Sequence, residues 1–472
     1  MRKMRVARFS ILILALIALA LPVSSFQSPS VIPSKGKILY PIKADYVIYK
    51  AGDLYYANFS ETNEICFSGY NAAVVIKNAI GALSGNGGTI LIKKGTYLIT
   101  DRIYLPSNVW IFGEGADLTI LKTGANIGTF RNKNYGTTGD RNISIGFMTL
   151  DGNAPTMQAS AIMLREVNYV TITNIKIRNF YWDAIQVNLE LHTSPSTPSQ
   201  YLSVLDSVFD NNGRCGGKNA SDTVAFHAVE NFVVRNCTLT NGGSRLLLIG
   251  EHPATGLKSK NGLIQDVCLD GVAGHDALLI GEKSENITVE STFMRNANEA
   301  GSLVMASTKY IYFRNSEFSN NGFQGLLMSN SSHSSITNSV AFNNGRRNAS
   351  LGRGFDIVGG TDINLSGTKA FNNTSNGFML RSNPDFELSK ATLELCVGQY
   401  NGQNGVEISK EPNDVGYVTV TLGRFNINSD YGILLNYPHH CTITYNNLTY
   451  NIVGSLYPSG TDHIIKSNIG YP

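Results

Sequence analysis

The chain has 472 residues, only 15% of them charged, with 46 glycines and a formal net charge of +3. A length sufficient for two or three average domains, few charges and many turn formers exclude a helical bundle and favour a long β architecture. Removing Arg2, Lys3, Arg5 and Arg8 with the first residues leaves 3 − 4 = −1, so no basic surface suggests a nucleic-acid partner.

The opening stretch, MRKMRVARFSILILALIALALPVSS, sets those four cations before an apolar run of about 15 residues, from Phe9 to Val23, closed by Ser24 and Ser25. The pattern predicts a signal peptide over 1–25 and a secreted or cell-surface protein. The other reading, an uncleaved N-terminal anchor, is the only route to a membrane, because no second long apolar run follows. Residues 38–69 are Tyr-rich, alternate as short strands and predict a small β extension. Next, Ala72, Val75, Ile76, Ala79, Ile80 and Leu83 fall on one helical face, and GNGG ends that helix. Strands follow in TILIKKGTYLI, DRIYLPSNVWIFGEG and LTILKT.

From Val170 onward the chain repeats one pattern: VTITNIKIRN, FVVRNCTLTN, ITVESTFMRN, each alternating apolar residues and finishing on Asn. Asn211, Asn241, Asn296, Asn320, Asn343 and Asn372 follow the small residues Ser207, Cys237, Thr292, Ser316, Ser339 and Thr368 by four positions. A Gly-containing turn and a second apolar burst come after each Asn, as in LLLIGE and GLLMSN. Two short strands per unit of roughly 23 to 32 residues predict a solenoid over 70–465, whose strands pair in parallel one unit apart, with Asn side chains stacked at a turn. The helix before it is placed to cap the first rung. The sequons at Asn58, Asn142, Asn219, Asn236, Asn286, Asn330, Asn348, Asn364, Asn372, Asn373 and Asn447 compete with this ladder, so only about half are expected to accept glycans.

The helix, Gly87-Gly88-Thr89, KKGTYLI and LPSNVWIFGEG closely resemble the opening of the pectate-lyase-like superfamily, and the repeat extends the resemblance over most of Asn71 to Asn451. That resemblance implies an all-β right-handed parallel β-helix. The superfamily holds polygalacturonases, pectin and rhamnogalacturonan enzymes, alginate epimerases and tailspike proteins, together with non-enzymatic surface proteins.

By the partial resemblance to polygalacturonases, WDAIQV places Asp183 at the position of a catalytic acid and Gln186 where a second carboxylate is common. SDTVAFHAV keeps Asp222, with Ser221 in place of its paired acid. GGSRLLLIGE has Ser244 and Arg245 where the family has His, and the Gly-His pair comes one rung later as Gly274-His275, followed by Asp276. No Arg-x-Lys element follows. Stacked on four rungs, Asp183 and Asp222 lie about 5 Å apart and Asp222 and Asp276 about 10 Å, separations that bracket those of retaining and inverting glycosidases. Carboxylates this close separate into an acid and a base. Arg245 is suited to hold a uronate carboxylate, and His227 joins the groove if it points outward. Turns also favour Asp and Ser for local hydrogen bonds alone.

Glu251 and Glu282 form a second stacked pair, beside Lys283 and His252, expected as a solvated turn; a calcium site would need more oxygen ligands, so no cofactor or metal is assigned. Leu248, Leu279, Val304 and Leu327 are expected to face outward as an apolar stripe, followed by the polar Asp356, Arg381, Glu407 and Lys410. Six cysteines, Cys66, Cys215, Cys237, Cys268, Cys396 and Cys441, lack CxxC spacing; buried thiols are expected, with Cys237 and Cys268 the pair placed for a bridge. Two functions stay open. One is an enzyme, a glycoside hydrolase or polysaccharide lyase on acidic, pectin-like glycans, with Asp183, Asp222, Asp276 and His275 catalytic and Arg245, His227 and Gln186 binding substrate. The other is a non-catalytic cell-surface solenoid binding glycans or proteins.

Overall fold

The computed structural model describes residues 43–470 except 84, 138, 154–158, 190–194, 215–220 and 411–412. Residues 44–472 form one compact unit; the signal segment expected over 1–25 lies outside the described residues. No helix among the described residues is long and apolar enough to cross a membrane.

The chain winds into a right-handed parallel β-solenoid of about 13 turns. Each turn has three strands, not the two expected from the sequence: Asn168–Thr173, Lys176–Arg178 and Ile185–Val187 make one turn. The extra corner hides inside what reads as a single alternating run. In VTITNIKIRN, Asn174 adopts a left-handed φ of 50° and breaks the run between two sheets. Equivalent strands pair in parallel one turn on, giving sheets of 18, 13 and 14 strands. Inward positions are apolar on every side, as at Val170, Ile172, Ile177, Ile185 and Val187. Their rows stack along the axis, and Phe355 lies over Phe378 with ring centroids 5.4 Å apart.

Corners are set by residues that tolerate positive φ. The Asn column noted above occupies this position: Asn211, Asn241, Asn296, Asn320, Asn343 and Asn372 all have φ between 53° and 56°, a region Asn enters more readily than other L residues. The buried ladder is formed by the residue after it. Asn321 Nδ2 donates to Asn344 Oδ1, Asn344 to Asn373, Asn373 to Asn401, Asn401 to Asn428 and Asn428 to Asn451, at 2.9–3.1 Å. Each ladder amide also accepts a backbone N–H from the rung before it, so polar groups at a dry corner are satisfied. Asn373 is therefore closed to glycosylation in the fold, while the sequon at Asn219 lies outside the described residues.

At the N-terminal end, strands Tyr46–Ala51, Leu54–Phe59 and Ile65–Gly69 form an antiparallel meander whose first strand pairs in parallel with Gly88–Ile92. The helix Ala72–Ala82 is capped by Asn71, whose side chain accepts from the N–H groups of Ala73 and Val74. Its buried face, Val75, Ile76, Ala79 and Ile80, packs toward the meander and the first strands of the other sheets. Gly87 follows at φ 87°, where any Cβ would lie 2.0 Å from the Asn108 carbonyl oxygen.

Because Asn373 is buried and joins two rungs, Asn373→Ala leaves several polar groups without partners. We predict a loss of about 2–4 kcal/mol in denaturant unfolding, against about 0.5 or less for the exposed Asn364→Ala. Equal effects would contradict a stabilising ladder.

Candidate functional site

Two register columns of the third sheet carry the polar residues. Val224, Leu247 and Leu278 are Cα partners on successive rungs, as are Ile185 and Val224. Two positions earlier stand Asp183, Asp222, Arg245 and Asp276, stacked on four consecutive rungs. The backbone supports this register, with Thr223 N–H donating to the Arg245 carbonyl at 2.8 Å. Asp183 and Asp276 are each only 3% exposed, and Asp222 and Arg245 are partly buried.

Hydrogen bonds explain why the chain tolerates carboxyls here. Asp276 Oδ1 accepts the N–H of Ala300, on the next rung, at 2.9 Å. The Asp222 backbone N–H favours the ionised form of Asp183, and the Ser244 hydroxyl and Arg245 backbone N–H favour that of Asp222. Asn376 and Asn404 make the bond seen at Asp276 in later turns, to Asn404 N–H and Tyr431 N–H, both at 3.0 Å. A neutral amide thus suffices for the structural task. Aspartate adds a burial cost that Asn avoids.

That cost is visible in the titration behaviour. Burial, reinforced by neighbouring Asp222, pushes Asp183 well above the usual carboxyl range. Burial also raises Asp222, opposed by the Arg245 guanidinium, the Ser244 hydroxyl and His227. Arg245 Nη1 stands 3.6 Å from Asp222 Oδ1, and that buried oxygen and Arg245 Nε have no hydrogen-bond partner. Asp276 is raised by burial from 3.8 to about 6.

The remaining candidates scatter around this column. Gln186 lies on the outward face of its strand and accepts from Ser160 at 3.3 Å. His227 is nearly buried at the far end of its strand, with Nδ1 2.9 Å from the Glu251 carbonyl, a contact that leaves Nε2 without a partner. Burial lowers its pKa. His275 is not brought to Asp183 or Asp222. It is one residue out of the column, in line with Ser244, and its Nδ1 meets Glu299 Oε2 at 3.2 Å. Glu299 was missed from sequence, although counting one rung beyond His275 reaches it.

Glu251 is paired with Lys283 at 2.7 Å. Among the described residues no three His, Cys, Asp or Glu side chains gather as a metal site. The outward stripe contains Ala225, Leu248 and Leu279, with Leu303 and Met305 beside them. Val304, expected on this stripe, points into the core, because Ser302 fills an inward position normally taken by an apolar residue and disguises the alternation. Farther along, Asp356 is fully buried between Arg353 at 2.7 Å and Arg381 at 3.1 Å. Cys237 and Cys268 are both free; Thr238 pairs with Cys268, so the two cysteines occupy different columns and cannot bridge across one rung.

Asp276→Asn keeps the acceptor for Ala300 N–H while removing the acid. Because the folded pKa is raised, stability is full below about pH 4 and falls as pH climbs toward 6. The variant should therefore match the parent near pH 4 and exceed it near pH 8 by on the order of 3 kcal/mol. Urea unfolding at both pH values checks this; a pH-independent difference would contradict it.

Comparison with known proteins bears on the scaffold. The family profile described as "Right handed beta helix region" matches residues 276–449. No curated protein sequence matches the chain. Similar solved structures include the mannuronan C-5 epimerase AlgE6 A-module of Azotobacter vinelandii, at 14% identity over 85% of this chain and 96% of that one, TM-score 0.48. PfbA, a surface adhesin of Streptococcus pneumoniae, shares 13% identity over 76% and 89%, TM-score 0.46. A GH87 α-1,3-glucanase catalytic unit from Streptomyces thermodiastaticus shares 12% over 84% and 65%, TM-score 0.40. With its three-sheet coils and the profile matched over residues 276–449, the chain carries the right-handed parallel β-helix fold.

Proposed function

We propose that this protein is an exported polysaccharide-active enzyme that hydrolyses glycosidic bonds of an acidic glycan at the Asp183–Asp222 pair. One observation carries the reading: buried Asp stands at 183, 222 and 276 in the same register column, where the rung-to-rung bond that Asp276 makes is made equally well by Asn at 376 and 404. Buried carboxyls kept at a position that needs none of their charge point to proton chemistry.

In this reading Asp183, held neutral by burial and by Asp222, donates its proton to the glycosidic oxygen as the C–O bond breaks. Asp222, raised by burial against the opposing pull of Arg245 and Ser244, attacks the anomeric carbon as the carboxylate from the other side. Water then releases the sugar, returning its proton to Asp183. A one-rung separation of about 4.8 Å is close to the ~5 Å spacing that goes with retention of configuration. The partly exposed Arg245 guanidinium beside Asp222 is suited to hold a uronate carboxylate. Export is supported by the basic-then-apolar first 25 residues.

The carboxylate-to-backbone bonds also favour a second reading, a non-catalytic glycan-binding solenoid whose column is structural. Incubation with polygalacturonate, rhamnogalacturonan and alginate, following reducing ends and the ultraviolet absorbance of unsaturated products, separates the two. We predict new reducing ends without unsaturation, and a fall of about a hundredfold or more in kcat for Asp183→Asn and for Asp222→Asn. Unsaturated products would replace hydrolysis by elimination; absence of turnover would favour binding alone.

A further inference from the structure

The corners of the last coils differ from those of the middle coils. Between the first and second sheets the left-handed position is held by Phe147 in an early coil, by small or polar residues such as Asn174, Asp206, Asn236, Ser291 and Asn338 in the middle coils, then by Leu395, Leu422 and Tyr445. On leaving the second sheet it is held by Asn211, Asn320 and Asn372, then by Tyr400, Ile427 and Tyr450. Bulky and β-branched residues enter this region at greater cost than Asn. Burial does not compensate: Leu395, Tyr400, Leu422, Tyr445 and Tyr450 are all more than half exposed, Tyr450 by 83%.

These two columns flank the outer face of the second sheet. On that face Lys369, Val397 and Arg424 are Cα partners on successive rungs, with Gln399 and Asn426 paired beside them. Lys369 and Arg424 are exposed and have no ion-pair partner among the described residues. Asp362, by contrast, is already held by Lys390 and His333 on the first sheet. The result is an open ridge on which aromatic rings alternate with amides and two unneutralised cations. That composition suits a flat, hydroxylated, negatively charged chain better than the contiguous apolar surface of a protein partner.

We propose that this ridge binds an acidic polysaccharide, with sugar rings lying against Tyr400, Tyr445 and Tyr450 and carboxylates held by Lys369 and Arg424. The site belongs to a different sheet from the Asp183–Asp222 pair and stands whether or not that pair is catalytic.

Binding of polygalacturonate to the full chain, with dextran as the neutral control, tests it by affinity electrophoresis across a salt series. The double variant Tyr400→Asn with Tyr450→Asn restores the residue used elsewhere in this corner column, so it should fold with an unchanged or higher thermal midpoint. We expect it to weaken polygalacturonate binding about tenfold or more. Arg424→Gln, an exposed change, should weaken binding and flatten its salt dependence, while Asp222→Asn leaves the ridge affinity in place. Affinity unmoved by the ridge variants, or equal retention on dextran, would overturn the proposal. So would concentration-dependent self-association in sedimentation that the ridge variants abolish, which would make the ridge an interface between copies of this chain. Loss of hydrolysis in Asp222→Asn with binding intact separates failure of this site from failure of the catalytic reading.

Discussion

Parallel pairing of each strand with its counterpart one turn away is the constraint on which everything else rests. Asp183, Asp222, Arg245 and Asp276 are separated by 39, 23 and 31 residues, yet they become vertical neighbours because the strands beside them share register. Insertions between them are absorbed at corners, where chain length does not alter the pairing. Register itself is held by the corners, through left-handed Asn backbones and the dry Asn ladder formed by the residues that follow them. A slip by one residue would drive the buried Asn amides out of reach of each other and turn the inward apolar rows to solvent.

Much of this was legible because a solenoid writes its cross-section repeatedly. Recurrent apolar bursts gave the coil, and the partial resemblance to polygalacturonases pointed to Asp183, Asp222, Arg245, His275 and Asp276 on successive rungs. Three features were hidden, each for a local reason. The corner at Asn174 interrupts the alternation by a single left-handed residue, so two strands read as one. Consecutive asparagines such as Asn343-Asn344 differ only in backbone conformation, and the sequence does not distinguish the corner residue from the buried one. Ser302, a polar residue facing inward, reversed the apparent orientation of Leu303 and Val304. His275 was drawn toward the acids by its resemblance to a Gly-His pair, but its place one residue outside the column turns it to Glu299.

The same chain supplies its own controls for what is functional. At Asn376 and Asn404 the rung-to-rung bond is made by neutral amides; at 276 an aspartate makes it, and Asp183, Asp222 and Asp276 in that column are all groups whose burial raises their pKa. At the far corners polar residues give way to Tyr and Leu that stay exposed. In both places the local rule is broken in a direction that costs stability, and in both the replacement adds chemistry useful to a glycan: protons in one, aromatic faces and cations in the other.

The central claim is that neighbouring Asp222 and burial keep Asp183 protonated where ordinary aspartates are ionised. Infrared difference spectroscopy of the carboxyl stretch above the ordinary aspartate range, read as parent minus Asp183→Asn so that the Asp276 contribution cancels, measures this directly. A protonated-acid band present in the parent and lost in the variant is the predicted result. An unchanged spectrum, with Asp183 ionised beside Asp222, would contradict the account.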